Sequence, residues 1–154
     1  MSRLELENLT ALHTWVGKEF PAGDWLTVTQ EMINDFAKAT LDFQWIHVDV
    51  EKATHFSPFK KPVAHGFLSL SLLSKMLGDA IKVKTVKMGV NYGLNKVRFP
   101  SPVIVDSKVR LHGSIKELEP YGANGMKVTW NCTVAIEGLE KPACVAEFVS
   151  LMFE

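Results

Sequence analysis

The stretch that most restricts the fold is residues 64–78, which read AHGFLSLSLLSKMLG. Phe67, Leu68, Leu70, Leu72, Leu73, Met76 and Leu77 leave no polar stripe at helical spacing, and Ser69, Ser71 and Ser74 are the only polar interior positions before Lys75. A helix that is apolar all round is buried all round. The chain must therefore supply something that wraps residues 66–77. Gly78 is placed to cap the helix C-terminus.

The residues after Gly78 can do the wrapping. Residues 83–90 and 94–99 read as strands broken at Asn91, Tyr92 and Gly93. A long strand is expected over residues 103–118, with Val105, Ser107, Val109 and Leu111 on one face. Residues 119–125 form a hairpin loop rich in turn formers. Val128, Trp130, Cys132, Val134 and Ile136 then alternate with Thr129, Asn131, Thr133, Ala135 and Glu137, the period of a half-buried strand. Residues 138–142 turn again, and 143–153 close the chain as a last strand. Short connections between successive strands make an antiparallel meander.

Before the apolar helix the chain is less regular. Leu9, Leu12 and Val16 fit one helical stripe. Residues 25–29 form a short first strand, and Thr29 is placed to cap a helix over residues 30–39. In that helix Met32, Ile33, Phe36 and Ala37 share a face. Residues 41–64 are an irregular excursion, with Asp49 able to cap a turn of helix and Pro58 and Pro62 punctuating the exit. Segments of this length without their own pattern tend to carry function.

The architecture these pieces predict is α+β: a single hot-dog fold over residues 1–154, its antiparallel sheet wrapped around a long central helix, with an overhanging segment before that helix. The open edge of such a sheet needs cover, so a homodimer is expected. A formal charge of +0 gives no electrostatic reason to expect nucleic acid. No apolar run reaches the ~20 residues of a membrane span, and residues 1–15 lack a signal-peptide core, so a cytoplasmic location is expected. Cys132 and Cys144 fit it as free buried thiols, although adjacent strands leave a disulfide open.

Within the excursion, Asp42 and His47 are the pair able to move protons. Spacing alone does not separate them from a turn-capping Asp and a packed His. The surrounding residues carry more information. Thr40, Leu41, Asp42, Phe43, Gln44, Trp45, Ile46 and His47 together resemble the hydratase motif of the MaoC-like, (R)-specific 2-enoyl-CoA hydratases. Ala64-His65-Gly66-Phe67-Leu68 resembles the start of that family's central helix, and residues 97–103 (VRFPSPV) the strand and turn after it. The wording is closest to the nodulation protein N-like branch, and the resemblance runs over residues 20–153. It departs at Leu41, where the family usually has Gly, at Gln44 for Asn, and at Trp45 for Pro.

The resemblance implies addition of water to trans-2-enoyl-CoA to give (R)-3-hydroxyacyl-CoA, or the reverse dehydration. Such a reaction needs no metal or redox cofactor, coenzyme A entering only as the substrate's carrier. His47, an imidazole that ordinarily titrates near ~6.5, suits the base that takes a proton from water, and Asp42, partly buried, the group that delivers one to C2. Both hold one water, so addition is syn. The Gly66 backbone N–H, at a helix N-terminus, is the donor to the thioester oxygen, unless the glycine serves helix–sheet packing only. Gln44, Trp45, His65 and Ser74 are assigned to substrate binding. His65 can equally orient its loop or pack, and Ser74 can bond back to a helix carbonyl. Lys60, Lys61, Lys82, Lys84, Lys87, Lys96 and Arg98 are candidates for the phosphates of coenzyme A.

Two rival functions share the fold. A hot-dog thioesterase tends to carry an acidic residue on the central helix, and residues 67–77 contain none. A non-catalytic acyl-binding or regulatory dimer would have its site blocked by Phe43 or Trp45. His47, His55 and His65 lack zinc-like spacing, and no Gly-rich phosphate loop is present.

Overall fold

The alternation in residues 128–136 sets the centre of the molecule. Val128, Trp130, Cys132, Val134 and Ile136 are all buried, because successive side chains of a strand point to opposite faces. In the computed structural model, which describes residues 3–154, they lie on the concave face of a five-stranded antiparallel sheet. Its strands are β2 (Leu26–Thr27), β4 (Met88–Arg98), β5 (Lys108–Tyr121), β6 (Gly125–Ile136) and β7 (Cys144–Phe153). The order is β2-β5-β6-β7-β4, so consecutive strands β5, β6 and β7 form the expected meander. A separate parallel pair joins β1 (Leu4–Leu6) to β3 (Ile81–Val83).

Among the described residues five α-helices precede the long strands: α1 (Gln30–Thr40), α2 (Trp45–Val48), α3 (Val50–Phe56), α4 (Gly66–Ser71) and α5 (Leu73–Ala80). Leu68 of α4 and Leu73, Met76, Leu77 and Ala80 of α5 pack with Val109, Leu111, Ile115, Trp130 and Ala146 of the sheet. This is the hot-dog arrangement, an antiparallel sheet curled around a central helix. Thr29 and Asp49 cap as expected: Thr29 Oγ1 accepts from Met32 N at 3.2 Å and an Asp49 carboxylate oxygen from Lys52 N at 2.9 Å.

The central helix differs from its expected form in three respects. It is interrupted at Leu72, which separates α4 from α5. It does not stop at Gly78 but runs on to Ala80, and Ile81 enters β3 directly. Glycine inside a helix costs about 1 kcal/mol relative to alanine, and burial of Leu77 and Ala80 on either side outweighs it. The helix is also not buried all round: Phe67 is 68% exposed, so one face of the apolar run awaits another surface.

The strands differ in their bounds. Asn91-Tyr92-Gly93 is not a break but a bulge inside β4, where the register with β7 shifts. The first part of the strand expected over 83–90 is instead β3 and a turn. Residues 103–107 do not begin β5, because Asp106 takes a left-handed backbone with φ 69° and turns the chain. At its other end β5 extends through Tyr121, and Gly122, with φ 64°, makes the hairpin turn short. At the N-terminus, residues Leu9–Trp15 form a 3₁₀ helix that buries Leu9 and Leu12. Val16 leaves that stripe to bridge Ile115. Both cysteines are free, and burial pushes the Cys132 thiol up to about 12 and that of Cys144 up to about 11.

The two sheet edges are treated differently. Along β5, Gly17 N–H, Phe20 N–H and Gly23 N–H donate to the carbonyls of Ile115, Gly113 and Leu111, so residues before β2 cover that edge. Among the described residues β4 has no such cover, and it exposes Met88, Val90, Tyr92 and Leu94. Among the described residues no helix is long and apolar enough to cross a membrane.

Candidate active site

The overhang is held by a few specific bonds. Helix α1 ends at Leu41, whose φ of 64° turns the chain sharply and presents Asp42. This left-handed conformation disfavours side chains with a Cβ and accounts for the glycine that the resembled motif usually has there. Leu41→Gly is expected to stabilise the protein by about 0.5–1 kcal/mol, because the strain of ~1–2 kcal/mol exceeds glycine's entropic cost of ~0.5–1. Urea unfolding checks it, and a lower midpoint for the variant would contradict it.

From Asp42 the chain passes through an Asx turn, in which Gln44 N–H donates to Asp42 Oδ1 at 3.3 Å. Helix α2, unexpected from the sequence, then carries His47 inward. Gln30 Nε2–H of α1 donates to the His47 carbonyl at 2.8 Å, and Val63 N–H donates to the Ile46 carbonyl at 3.0 Å. Ala64 N–H in turn bonds the Val103 carbonyl at 2.8 Å, tying the end of the excursion to the segment before β5.

The side chains meet where these segments cross. His47 is 7% exposed, and its Nδ1–H donates to the Val63 carbonyl at 2.6 Å. A carbonyl only accepts, so this bond fixes the tautomer and leaves Nε2 with its lone pair. Burial lowers the His47 pKa below its ordinary value; the Val63 bond opposes this, the neighbouring His65 adds to it and Asp42 works against it. One carboxylate oxygen of Asp42 and one ring nitrogen each of His47 and His65 lie within 4.8 Å of one another. Groups so spaced can bracket one water, since two hydrogen bonds through it span ~5.5 Å.

The other sequence candidates fall into different places. His65 is 3% exposed, with its ring against Phe36 and stacked on His47, so it supports the pair from behind. Asp42 is 53% exposed, which corrects the expectation of a partly buried carboxyl: this chain by itself does not cover it. Gln44 is exposed and contributes its backbone. Phe43 is 56% exposed, and Trp45 lies under Lys52 Nζ, 5.0 Å from its ring centroid. Among the described residues neither ring stacks on His47 or His65, which stack on each other.

Gly66 follows His65 at the start of α4, where the helix leaves its first N–H groups unpaired. A Cβ on Gly66 would sit 3.2 Å from the Phe99 ring, a tight contact that makes packing a second reason for glycine here. Ser74 is not with the pair. It is exposed, not bonded back into the helix, and lies eight residues beyond Gly66, about 12 Å along the axis. There it lines a cleft of about 240 Å³ with Leu70, Asn91, Leu94 and Phe148, between the helix and β4. Of the lysines, Lys84 is taken by Glu7 at 2.6 Å.

A curled sheet on a central helix, with an Asp–His pair on an overhang at the helix N-terminus, is the plan of a hot-dog hydratase or dehydratase. Residues 12–135 match the MaoC like domain, and the chain belongs to that family. It is 47% identical over 143 residues to 3-hydroxyacyl-thioester dehydratase Z of Mycobacterium tuberculosis, covering 93% of this chain and 94% of the relative. It is 43% identical to Nodulation protein N of Rhizobium leguminosarum bv. viciae over 89% of this chain and 86% of that protein. Among solved structures, the (R)-hydratase from A. caviae involved in PHA biosynthesis superimposes with a TM-score of 0.68 at 24% identity, covering 88% and 94% of the two chains.

Proposed function

We propose that this protein adds water to trans-2-enoyl thioesters of coenzyme A to give (R)-3-hydroxyacyl thioesters, and catalyses the reverse dehydration. The observation that carries this reading is the convergence of Asp42 and a tautomer-locked His47 within reach of one water. The 47% identity to a 3-hydroxyacyl-thioester dehydratase supports it.

In hydration, His47 Nε2 takes a proton from the water while its oxygen bonds to C3. The C2–C3 π electrons move toward the carbonyl, and the negative charge on the thioester oxygen is met by the Gly66 N–H. Asp42 holds the same water and relays the proton: it accepts from the His47 imidazolium the proton that His47 took, passes it to C2, and the thioester carbonyl reforms, leaving both groups as they began. Dehydration is the same path reversed.

The acyl chain extends from Gly66 along the central helix toward Ser74 and its cleft. Phe99, packed on Gly66, brings the end of β4 to the helix N-terminus, which supports Lys96 and Arg98 as candidates for the coenzyme's phosphates. This mechanism routes no step through a metal. Asp42, His47 and His65 could each offer one ligand atom, but the two rings are stacked 3.8 Å apart at 23°, whereas a metal lies in the plane of the imidazole that binds it.

Mixing the protein with crotonyl-CoA tests the reading. Loss of the enoyl absorbance should far outpace thiol release; faster thiol release would make it a thioesterase. Because neutral His47 is the base and its pKa is lowered, kcat/KM for hydration should hold down to below pH 6.5 and fall only as pH drops through the lowered value. An acid limb above 6.5 would contradict this. The working form is a homodimer through the bare apolar edge of β4, which pairing of two copies covers. Light scattering should give twice the 17.2 kDa chain mass, and a stable monomer at micromolar concentration would contradict it.

A further inference from the structure

We propose that His65 is a positioning residue that holds the two members of the Asp42–His47 pair in register. The proposal rests on the hydratase reading above and goes beyond substrate contact, which the burial of His65 does not allow.

His65 touches both partners by different means. Its Nε2–H donates to the backbone carbonyl of Asp42 at 3.0 Å, across 23 residues of chain, and the Asp42 carboxylate lies 4.0 Å from the same nitrogen. Its face stacks on the His47 ring with centroids 3.8 Å apart. His65 is also the residue before Gly66, at the N-cap of α4, where its side chain makes no capping bond. One imidazole thus ties the acid, the base and the helix N-terminus together. Without it, Asp42 follows a strained Leu41 and has only its own Asx turn to fix it.

The remaining ring nitrogen says which form His65 takes. Nδ1 is buried without a hydrogen-bond partner. With Nε2–H given to the Asp42 carbonyl and Nδ1 left without a partner, the geometry assigns neutral His65 the Nε2–H tautomer. The titratable groups facing His47 are His65 and Asp42.

Two variants separate positioning from packing. His65→Gln keeps an N–H donor for the Asp42 carbonyl; His65→Leu fills similar space without one. Displacement of a reacting group by about an ångström can cost ~100-fold. His65→Leu should lower kcat for crotonyl-CoA hydration by about that factor, His65→Gln by about tenfold, and KM should stay within about twofold in both. Unchanged kcat in His65→Leu, or a His65→Gln as impaired as His65→Leu, overturns the proposal.

Ring-nitrogen NMR of the unmodified protein reads the same inference independently of folding in the variants and of turnover. It should show neutral His65 as the Nε2–H tautomer, bonded to the Asp42 carbonyl, and neutral His47 as the Nδ1–H tautomer. His65 present as Nδ1–H overturns it. If the unmodified protein turns over no enoyl thioester, the hydratase reading fails by itself, and the NMR result still decides the role of His65.

Discussion

Asp42→Asn and His47→Asn are each expected to lower kcat by about 10²–10⁴, the usual worth of a placed acid or base, with little change in KM. Asn at 42 keeps the side chain's shape and its acceptor oxygen for the Asx turn but cannot deliver a proton. At 47, Nδ1 is the anchored nitrogen, so Asn rather than Gln is the better replacement: its amide N–H can still reach the Val63 carbonyl while the base at Nε2 is gone. The double variant should be little worse than the worse single one, because groups acting as a unit are not additive. Stability separates the pair. Asp42 is half exposed and its variant should melt as the parent does. His47 is buried and stacked on His65, so its variant should lose about 1–2 kcal/mol. Steady-state kinetics and melting curves on the same preparations test this, and a kcat within threefold of the parent in either single variant would contradict it.

Trp130→Ala should have the largest effect on folding. Trp130 is 3% exposed at the middle of β6, where the sheet presses on the central helix. Its ring meets Phe20 edge-on with centroids 5.9 Å apart, and Nε1–H donates to Ser150 Oγ at 2.8 Å. Truncation leaves a cavity and an unpaired hydroxyl together. Buried Trp or Phe to Ala costs ~3–5 kcal/mol, a large part of the ~5–15 kcal/mol that holds a domain together. In a chain of this size that lowers Tm on the order of 10 °C. Calorimetry checks the value, and a shift of less than about 3 °C would mean that β6 is not the core strand described.

What could be read in the sequence was whatever periodicity dictates. The alternation of residues 128–136, the Thr29 cap and the apolar run after Gly66 each reflect local geometry, and each reappears in the fold. Bounds were lost where tertiary contacts override local preference: Gly78 stays helical because Leu77 and Ala80 are buried, and Asn91-Tyr92-Gly93 stays in β4 because β7 pairs through it. The short strand β2 was read from the residues at 25–29, whereas the parallel β1–β3 pair depends on distant partners and left too short a pattern. In the overhang, the identities of Asp42 and His47 were visible only through motif resemblance. Helix α2 has four residues, too few for a helical period. The role of His65 required its stacking geometry, although its place directly before Gly66 was a hint. The left-handed backbone at Leu41 was masked by a residue type that seldom adopts it.

The measurement closest to the central claim is the stereochemistry of hydration. With crotonyl-CoA in deuterium oxide, one water bracketed by Asp42 and His47 requires hydroxyl and deuteron to arrive on the same face of the double bond. NMR of the product should show the (R)-3-hydroxyacyl thioester with deuterium at C2 in the syn relation. An (S) product, anti addition, or an enoyl thioester left unchanged by active-site concentrations of the protein would contradict the account.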